Sequence, residues 1–392
     1  MVLRSPYATL PAENRTMKKS FVFHVLGMSF TATSRKFLAD AHTQNIFSMC
    51  KLLMAQGHTV YHYGNYGSDP HCTDNIEILD KNTMESLYAG DDLKQAGTGY
   101  FIKQTPEINR KFVQKAAAEI EKRKASDHFL LGVRDPHEEI YRYHKDMLYV
   151  HHSVGHIGWN PKMSVYASEY VRNFRLSKEH SRTGGVLVWP GSAVIPHFLD
   201  PDEFEPCYEP EDYFLYFGRI TPEKGVQIAI DVCNKLGVKL YLAGQGRLDQ
   251  FQLNQNVEYA GFIEDIKVRN NLLRKAKAIF SPTQIPESFG MVVIEALMSG
   301  VPVITSDWGA FPETVNHGLT GYRCTTLSEY VAAAKNIGDI SRRECRRVAE
   351  ERFSHTIAGR LYQTYFERVY DMHVNGAASE ARTDIALNYI SH

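Results

Sequence analysis

The stretch PESFGMVVIEALMSGVPVI, from Pro286 to Ile304, constrains this chain more than any other. An irregular segment gives way near Gly290 to a helical pattern with Val292, Val293, Ala296 and Leu297 on its apolar face, and then to a strand from Val301 to Thr305. If the helix begins near Gly290, Glu295 sits about one turn inside it while Glu287 stays in the preceding loop. Two carboxylates eight residues apart then flank a helix N-terminus whose free N–H groups face outward. Such an end attracts phosphate, and a glycine there lets backbone come close to a ligand. One carboxylate on each side of a diphosphate can accept hydrogen bonds from hydroxyls of two sugars. Either glutamate alone is more often a solvated helix residue; its company decides.

That company is made of strand-end loops. FGRITPEKG, Phe217 to Gly225, follows the apolar run from Tyr213 and leads into a helical pattern at Val226, Ile230, Val232 and Leu236. Arg219 and Lys224 therefore sit on a strand-to-helix loop at the carboxyl end of a strand, where open α/β sheets bind ligands. Arg grips a phosphate with two donors and Lys follows as a point charge. LAGQG, Leu242 to Gly246, closes the next strand with two glycines, which serve either a tight turn or a close backbone approach to a ligand. DWGAFPE, Asp307 to Glu313, gives a further irregular loop after the strand Val301 to Thr305.

The order strand, FGRxxxEKG, strand, GxG, a Gly-Phe pair at Gly261 and Phe262, then PESFGxxxxEAxxxGxPVI resembles the C-terminal half of retaining GT-B glycosyltransferases, glycosyltransferase family 4. The likeness spans about Tyr213 to Tyr370. It implies an α/β chain of the GT-B fold, with two Rossmann-like domains facing each other across a cleft, and a nucleotide-diphospho-sugar donor, such as a UDP-sugar, held in the C-terminal one. By the same resemblance Arg219 and Lys224 contact the diphosphate and Glu295 the ribose. Glu287, with the backbone of Ser288, Phe289, Gly290 and Met291, meets the transferred sugar, the base packs near Gly261, Phe262 and Ile263, and Gly244 lies in the donor loop. Glu287, Arg219 and Lys224 form the catalytic set. No cofactor or metal is expected, since cations and a helix end stand in for a divalent ion and no DxD pair lies beside the strand ends.

Composition suits two ordinary globular domains. The 392 residues carry 44 Lys+Arg against 45 Asp+Glu, so no global field draws the chain to nucleic acid. No apolar run reaches the ~18 residues of a membrane span, and the polar opening lacks the apolar core of a secretory signal. Cysteines 50, 72, 207, 233, 324 and 345 are scattered without CxxC spacing, which suits a reducing, cytoplasmic setting. Expected boundaries are a tail at 1–20, an acceptor-binding domain at 21–205, a donor domain at 206–372, and a terminal segment at 373–392 returning to the first domain.

In the N-terminal half, strands are predicted at FVFHVLG, TVYHYG, HFLLGV, MLYVHH, SVYAS and VLVWP, with a helix from about Arg35 to Gln56. Many family members carry a glycine-rich loop after the first strand and a histidine ending the fourth. This chain has Gly27, Met28 and Ser29, then LLGVRD. Gly27, Met28, His151 and His152 are the acceptor-side candidates, the last two at a strand end with His156 nearby, as partners of an acceptor hydroxyl or as a base. A satisfied structural histidine is the commoner case, and HHxxxH also has a spacing that fits metal. EKRK at Glu121 to Lys124 and RRECRR at Arg342 to Arg347 read as solvated helix faces. For a lipid-linked acceptor these basic stretches and the N-terminal Arg4, Arg15, Lys18 and Lys19 offer anionic headgroups a weak peripheral contact. The reading is a retaining glycosyltransferase acting on a hydroxyl of a glycan, lipid-linked or small-molecule acceptor. The alternatives are a nucleotide-sugar epimerase or hydrolase, a glycan phosphorylase, and a catalytically silent sugar-nucleotide-binding subunit.

Overall fold

The mostly apolar run ahead of Gly27 forms the first strand of a parallel sheet and is buried from Phe23 to Leu26, the His24 ring included. A computed structural model describes residues 19–37, 40–88, 105–134, 136–155, 161–183, 191–263 and 265–375. The VLVWP strand, His156, most of the N-terminal tail and all but the start of the terminal segment lie outside those residues.

The first sheet contains β1 (Val22–Leu26), β2 (Thr59–Gly64), β3 (Asp74–Glu77), β4 (Phe129–Gly132), β5 (Leu148–Val154), β6 (Ser164–Tyr166) and β7 (Ala193–Val194), in the order β3-β2-β1-β4-β5-β6-β7. The second contains β8 (Phe214–Phe217), β9 (Leu240–Ala243), β10 (Val257–Gly261), β11 (Ala278–Ser281), β12 (Val303–Ser306) and β13 (Gly321–Cys324), in the order β10-β9-β8-β11-β12-β13. All these pairings are parallel. In each sheet the first strand is central: the chain builds outward on one side and then crosses to the other. The order therefore reverses between β1 and β4 and again between β8 and β11. Loops leaving the carboxyl ends at such a point diverge and open a crevice for a ligand.

Helices connect the strands: α1 (Ala41–Ala55), α2 (Lys81–Tyr88), α3 (Pro106–Glu121), α4 (His137–Tyr143) and α5 (Glu169–Thr183) in the first half. In the second come α6 (Val226–Leu236), α7 (Ile266–Lys275), α8 (Met291–Met298), α9 (Phe311–Thr314), α10 (Leu327–Asn336), α11 (Arg342–Phe353) and α12 (His355–Asn375). None of the described helices is long and apolar enough to cross a membrane. The predicted helix from Arg35 starts later, at Ala41, because the Asp40 carboxylate accepts the Thr43 N–H at 2.6 Å and caps the first turn. The SVYAS strand stops at Tyr166, since Ser168 is already the cap of α5.

Packing divides the chain into two units. Among the described residues, one holds those up to Tyr166, those between Arg175 and Ile195, and those from Gly359; the other holds those between Ala167 and Phe174 and between Pro196 and Ala358. Within the first, Phe366 of α12 lies 4.7 Å from Phe23 and 5.1 Å from Phe129, ring centre to ring centre. The chain thus rejoins the first unit at Gly359, ahead of the 373 expected from sequence. Within the second, RRECRR is not a solvated face. Arg342 donates to the carbonyls of Cys207, Ala276 and Arg274 at 2.6 to 2.8 Å, and Arg346 to those of Phe204, Met298 and Pro201 at 2.5 to 3.1 Å. Arg343 and Arg347 behave as expected at the surface, Arg343 over the exposed Tyr208 ring and Arg347 in pairs with Glu344 and Glu351. EKRK does keep to the surface, in pairs with Glu119, Glu121 and Asp146. All six cysteines are free thiols.

Candidate functional site

Two loops meet at the reversal point of the second sheet. The apolar strand β8 ends at Phe217, and its loop runs through Arg219 to a 3-10 turn at Pro222–Lys224. The loop after β11 runs from Pro282 to Gly290. They are tied to each other: the Gln284 N–H donates to the Glu223 carbonyl at 2.8 Å, and the Thr283 hydroxyl donates to the same oxygen at 3.3 Å. This backbone link sets Lys224 beside Glu287, with Nζ and Oε2 2.5 Å apart and both side chains largely buried. Arg219 stays exposed, its carbonyl held by the Tyr216 hydroxyl at 2.6 Å.

Beyond Glu287 the backbone is pinned by its oxygens. The Glu287 carbonyl accepts from the Ala310 N–H at 2.9 Å, and the Ser288 carbonyl from the Ser168 hydroxyl at 2.7 Å. The N–H groups of Ser288, Phe289 and Gly290 have no acceptor among the described residues. They form a row of free donors at the start of α8, the arrangement that binds anions. Gly290 serves a different purpose from the one expected: it takes φ +87°, and a Cβ there would lie 2.8 Å from the Phe311 ring. The constraint is a left-handed turn packed on Phe311, not room for a ligand. Phe289 also turns away from the loop, buried edge-on against His197 and Phe353, so only its backbone belongs with the donors. Met291 packs against the core.

Glu295 lies in α8, and its carboxylate pairs with Arg269 of α7. Both side chains are 15% exposed, and the Arg269 guanidinium also covers the Phe217 ring at 4.7 Å. Sequence reasoning missed Arg269, which is one of four cations in IKVRNNLLRK with nothing local to mark it. The glycines of LAGQG also read differently here. A Cβ on Gly244 would lie 1.8 Å from the Gly218 carbonyl oxygen, so the backbone that comes close is the neighbouring loop. Phe262 and Ile263 follow β10 and are partly buried. Ile263 lines a cleft of about 320 Å³ with Tyr213, Tyr241, Val268 and Leu272. Its lining reaches from Glu211 and Tyr213, ahead of β8, to Ala260 and Ile263 at the end of β10, and includes neither Lys224 nor Glu287.

In the first unit the acceptor-side candidates are held inside the fold. The Gly27 N–H donates to the Tyr63 carbonyl at 2.9 Å, and its carbonyl accepts from His137 Nε2 at 3.0 Å. His137 Nδ1 in turn accepts from the Val133 N–H at 3.1 Å, which ties the loops after β1 and β4 and defines a neutral tautomer. Burial pushes its pKa down to about 3. Met28 is fully buried, with its carbonyl bonded to Asn65 at 3.0 Å. His151 and His152 do not sit at a strand end: both are buried within β5, which runs on to Val154, and the neighbouring Ser153 takes φ +59° at an irregularity in the pairing with β6. No group of three potential metal ligands occurs among the described residues.

Residues 202–352 match the family described as glycosyl transferases group 1. Phosphatidyl-myo-inositol mannosyltransferase of Mycobacterium tuberculosis is 28% identical over 145 residues, 33% of this chain and 38% of that protein. The chain thus aligns with well under half the length of that relative. Sucrose-phosphate synthase from Thermosynechococcus elongatus shares the fold over 88% of this chain and 98% of its own, with a TM-score of 0.65 at 17% identity. HepE of Anabaena, solved in complex with UDP-glucose, does so over 88% and 98%, with a TM-score of 0.58 at 15% identity. Both parallel sheets, each with a reversal point beside its first strand, are Rossmann-like. The chain accordingly has the GT-B glycosyltransferase fold, and its residues 202–352 are similar to glycosyl transferases group 1.

Proposed function

We propose that the chain is a retaining glycosyltransferase of family 4 that moves a sugar from a nucleotide-diphospho-sugar donor to an acceptor hydroxyl. The observation that carries this reading is the Lys224–Glu287 pair set beside the free N–H row of Ser288 to Gly290, at the reversal point of the second sheet. That combination suits a donor with a charged diphosphate next to a neutral, hydroxyl-rich ring. The UDP-glucose named with HepE, a protein of the same fold, and the mannosyltransferase named as a relative support it.

Arg219 and Lys224 take the diphosphate, joined by the amides at the start of α8. Glu295, steadied by Arg269, accepts from the ribose hydroxyls, and Glu287 accepts from a hydroxyl of the transferred sugar. As the bond between the anomeric carbon and the diphosphate oxygen breaks, charge grows on the departing oxygens, where the cations and amides are already aimed. The acceptor oxygen bonds to the same face of that carbon, and its proton passes to a leaving phosphate oxygen. This route explains why no side-chain base is needed and requires no metal ion. Gly27 and Met28 act here only by shaping the loops of the first unit, and His151 and His152 act as buried residues of β5.

The experiment is a panel of nucleotide sugars followed by release of nucleoside diphosphate, with a thermal-shift panel of the diphosphates alone. A ligand bound only by the folded state raises the melting temperature with the logarithm of its concentration. No shift with any nucleoside diphosphate and no release from any donor would end this reading.

A further inference from the structure

We propose that Ser168 and Glu313 are positioning residues for sugar transfer, holding the Glu287–Gly290 loop so that its amides face the donor. The proposal rests on the nucleotide-sugar reading above.

The argument starts from the first turn of α5, whose residues Ala167–Phe174 belong to the second unit. A helix start leaves its first N–H groups without partners. Here Glu313 of α9 supplies both carboxylate oxygens from outside the helix, accepting the Glu169 N–H at 2.7 Å and the Tyr170 N–H at 2.8 Å. Ser168 is the cap, and its hydroxyl accepts the Val171 N–H at 3.2 Å. That same hydroxyl donates its proton to the Ser288 carbonyl at 2.7 Å. Capping alone would be satisfied by the oxygen, so the second bond is not needed by the helix.

The bonds close a ring. From Ser168 the path runs to the Ser288 carbonyl and to the adjoining Glu287 carbonyl, which the Ala310 N–H holds at 2.9 Å. Ala310 leads directly into α9, where Glu313 returns the path to α5. Two successive carbonyls of the loop are therefore fixed on one side. In a trans peptide the C=O and N–H point in opposite directions, so fixing these oxygens aims the Ser288 and Phe289 N–H groups the other way. Those are among the donors without an acceptor at the start of α8. The Glu313 charge lies at the α5 N-terminus, where it also complements the helix dipole and keeps the ring closed. Neither residue reaches the donor; both act through the loop.

The test uses the full chain with UDP and UDP-glucose as first probes, or whichever nucleoside diphosphate and donor the wild type takes. Ser168→Ala removes the bond to Ser288, Ser168→Thr retains a hydroxyl, and Glu313→Gln keeps shape while losing the charge and one acceptor. The expected result is a turnover number at least about tenfold lower in Ser168→Ala and Glu313→Gln. Donor KM and the Kd for the nucleoside diphosphate should stay within about twofold, and Ser168→Thr should recover most of the turnover. Unchanged turnover in both variants of an active wild type overturns the positioning role alone. Loss of diphosphate binding in step with turnover, without recovery in Ser168→Thr, also overturns it and marks a merely structural cap. A wild type that neither binds a nucleoside diphosphate nor consumes a nucleotide sugar would instead remove the underlying reading.

Discussion

Lys224 and Glu287, 63 residues apart in sequence, are joined at 2.5 Å with little of either side chain exposed. In the proposed function this pair receives the dianionic diphosphate. Glu287 alone would repel a diphosphate, and Lys224 both screens that charge and offers its remaining donors. Lys224→Ala is expected to weaken nucleoside diphosphate binding more than Arg219→Ala, by roughly 1.5 to 3 kcal/mol or about ten- to a hundredfold in Kd. Calorimetry on both variants checks the order. Equal, unchanged affinities would remove the pair from the site.

Glu287 and Glu295 should separate in kinetics. Glu295 keeps the same hydrogen bonds throughout the reaction, so Glu295→Gln should raise donor KM with little change in kcat. Glu287 faces the ring whose charge and shape change at the transition state, so Glu287→Gln should act mainly on kcat. Arg269 holds Glu295, and Arg269→Ala should mimic the KM effect. The double variant should cost less than the sum of the two, because each change alone disrupts one shared pair. Strict additivity would place Arg269 outside the donor site.

Activity is expected to survive EDTA, as the cations and the helix end carry the charge that a divalent ion supplies elsewhere. Complete loss with recovery on adding manganese would overturn the proposed mechanism at this site.

Three buried histidines set a pH limit on the first unit. Burial pushes His24 down to about 3, with the nearby His128, His144 and Arg123 adding to it, His62 to about 4, and His137 to about 3. In the unfolded chain each titrates near 6.5. As pH falls below that value, the unfolded state takes up protons that the fold refuses. Stability is then lost by up to about 1.4 kcal/mol per pH unit for each group, until its folded pKa is reached. The urea midpoint should be level from pH 8 to 7 and fall between pH 6.5 and 5.5, before most carboxylates titrate. His137→Gln should make that fall shallower; a midpoint independent of pH across the window would contradict the neutral state of these groups.

Arg342 should matter far more than its neighbour Arg347. Its three carbonyl partners lose their donors in Arg342→Met, at an expected cost of about 3 kcal/mol or more, whereas Arg347→Met removes only surface ion pairs worth below about 1 kcal/mol. Denaturant titration of the two variants measures the difference.

Local pattern made much of this molecule readable. The runs that became β1, β2, β4, β8, β9 and β12 are apolar and bounded by glycine or polar loops, and the start of α8 at Gly290 follows from the change of period after PESFG. The motif order was enough to identify the GT-B fold. The sequence also placed Lys224 and Glu287 on loops at the carboxyl ends of strands. Their direct pairing required β8 to lie beside β11, and strand order is set by how crossovers pack, which no short window records. Arg269 reached Glu295 by bringing α7 beside α8, and Glu313 reached α5 from 143 residues away, so neither carried a local sign. Arg342 and Arg346 read as solvated because charge composition is the same whether a guanidinium meets water or carbonyl oxygens. The sequence by itself determined which segments become strands, helices and strand-end loops, because those depend on nearest-neighbour periodicity. Tertiary structure alone decided which distant side chains share a bond, because that depends on the positions of elements joined only through packing.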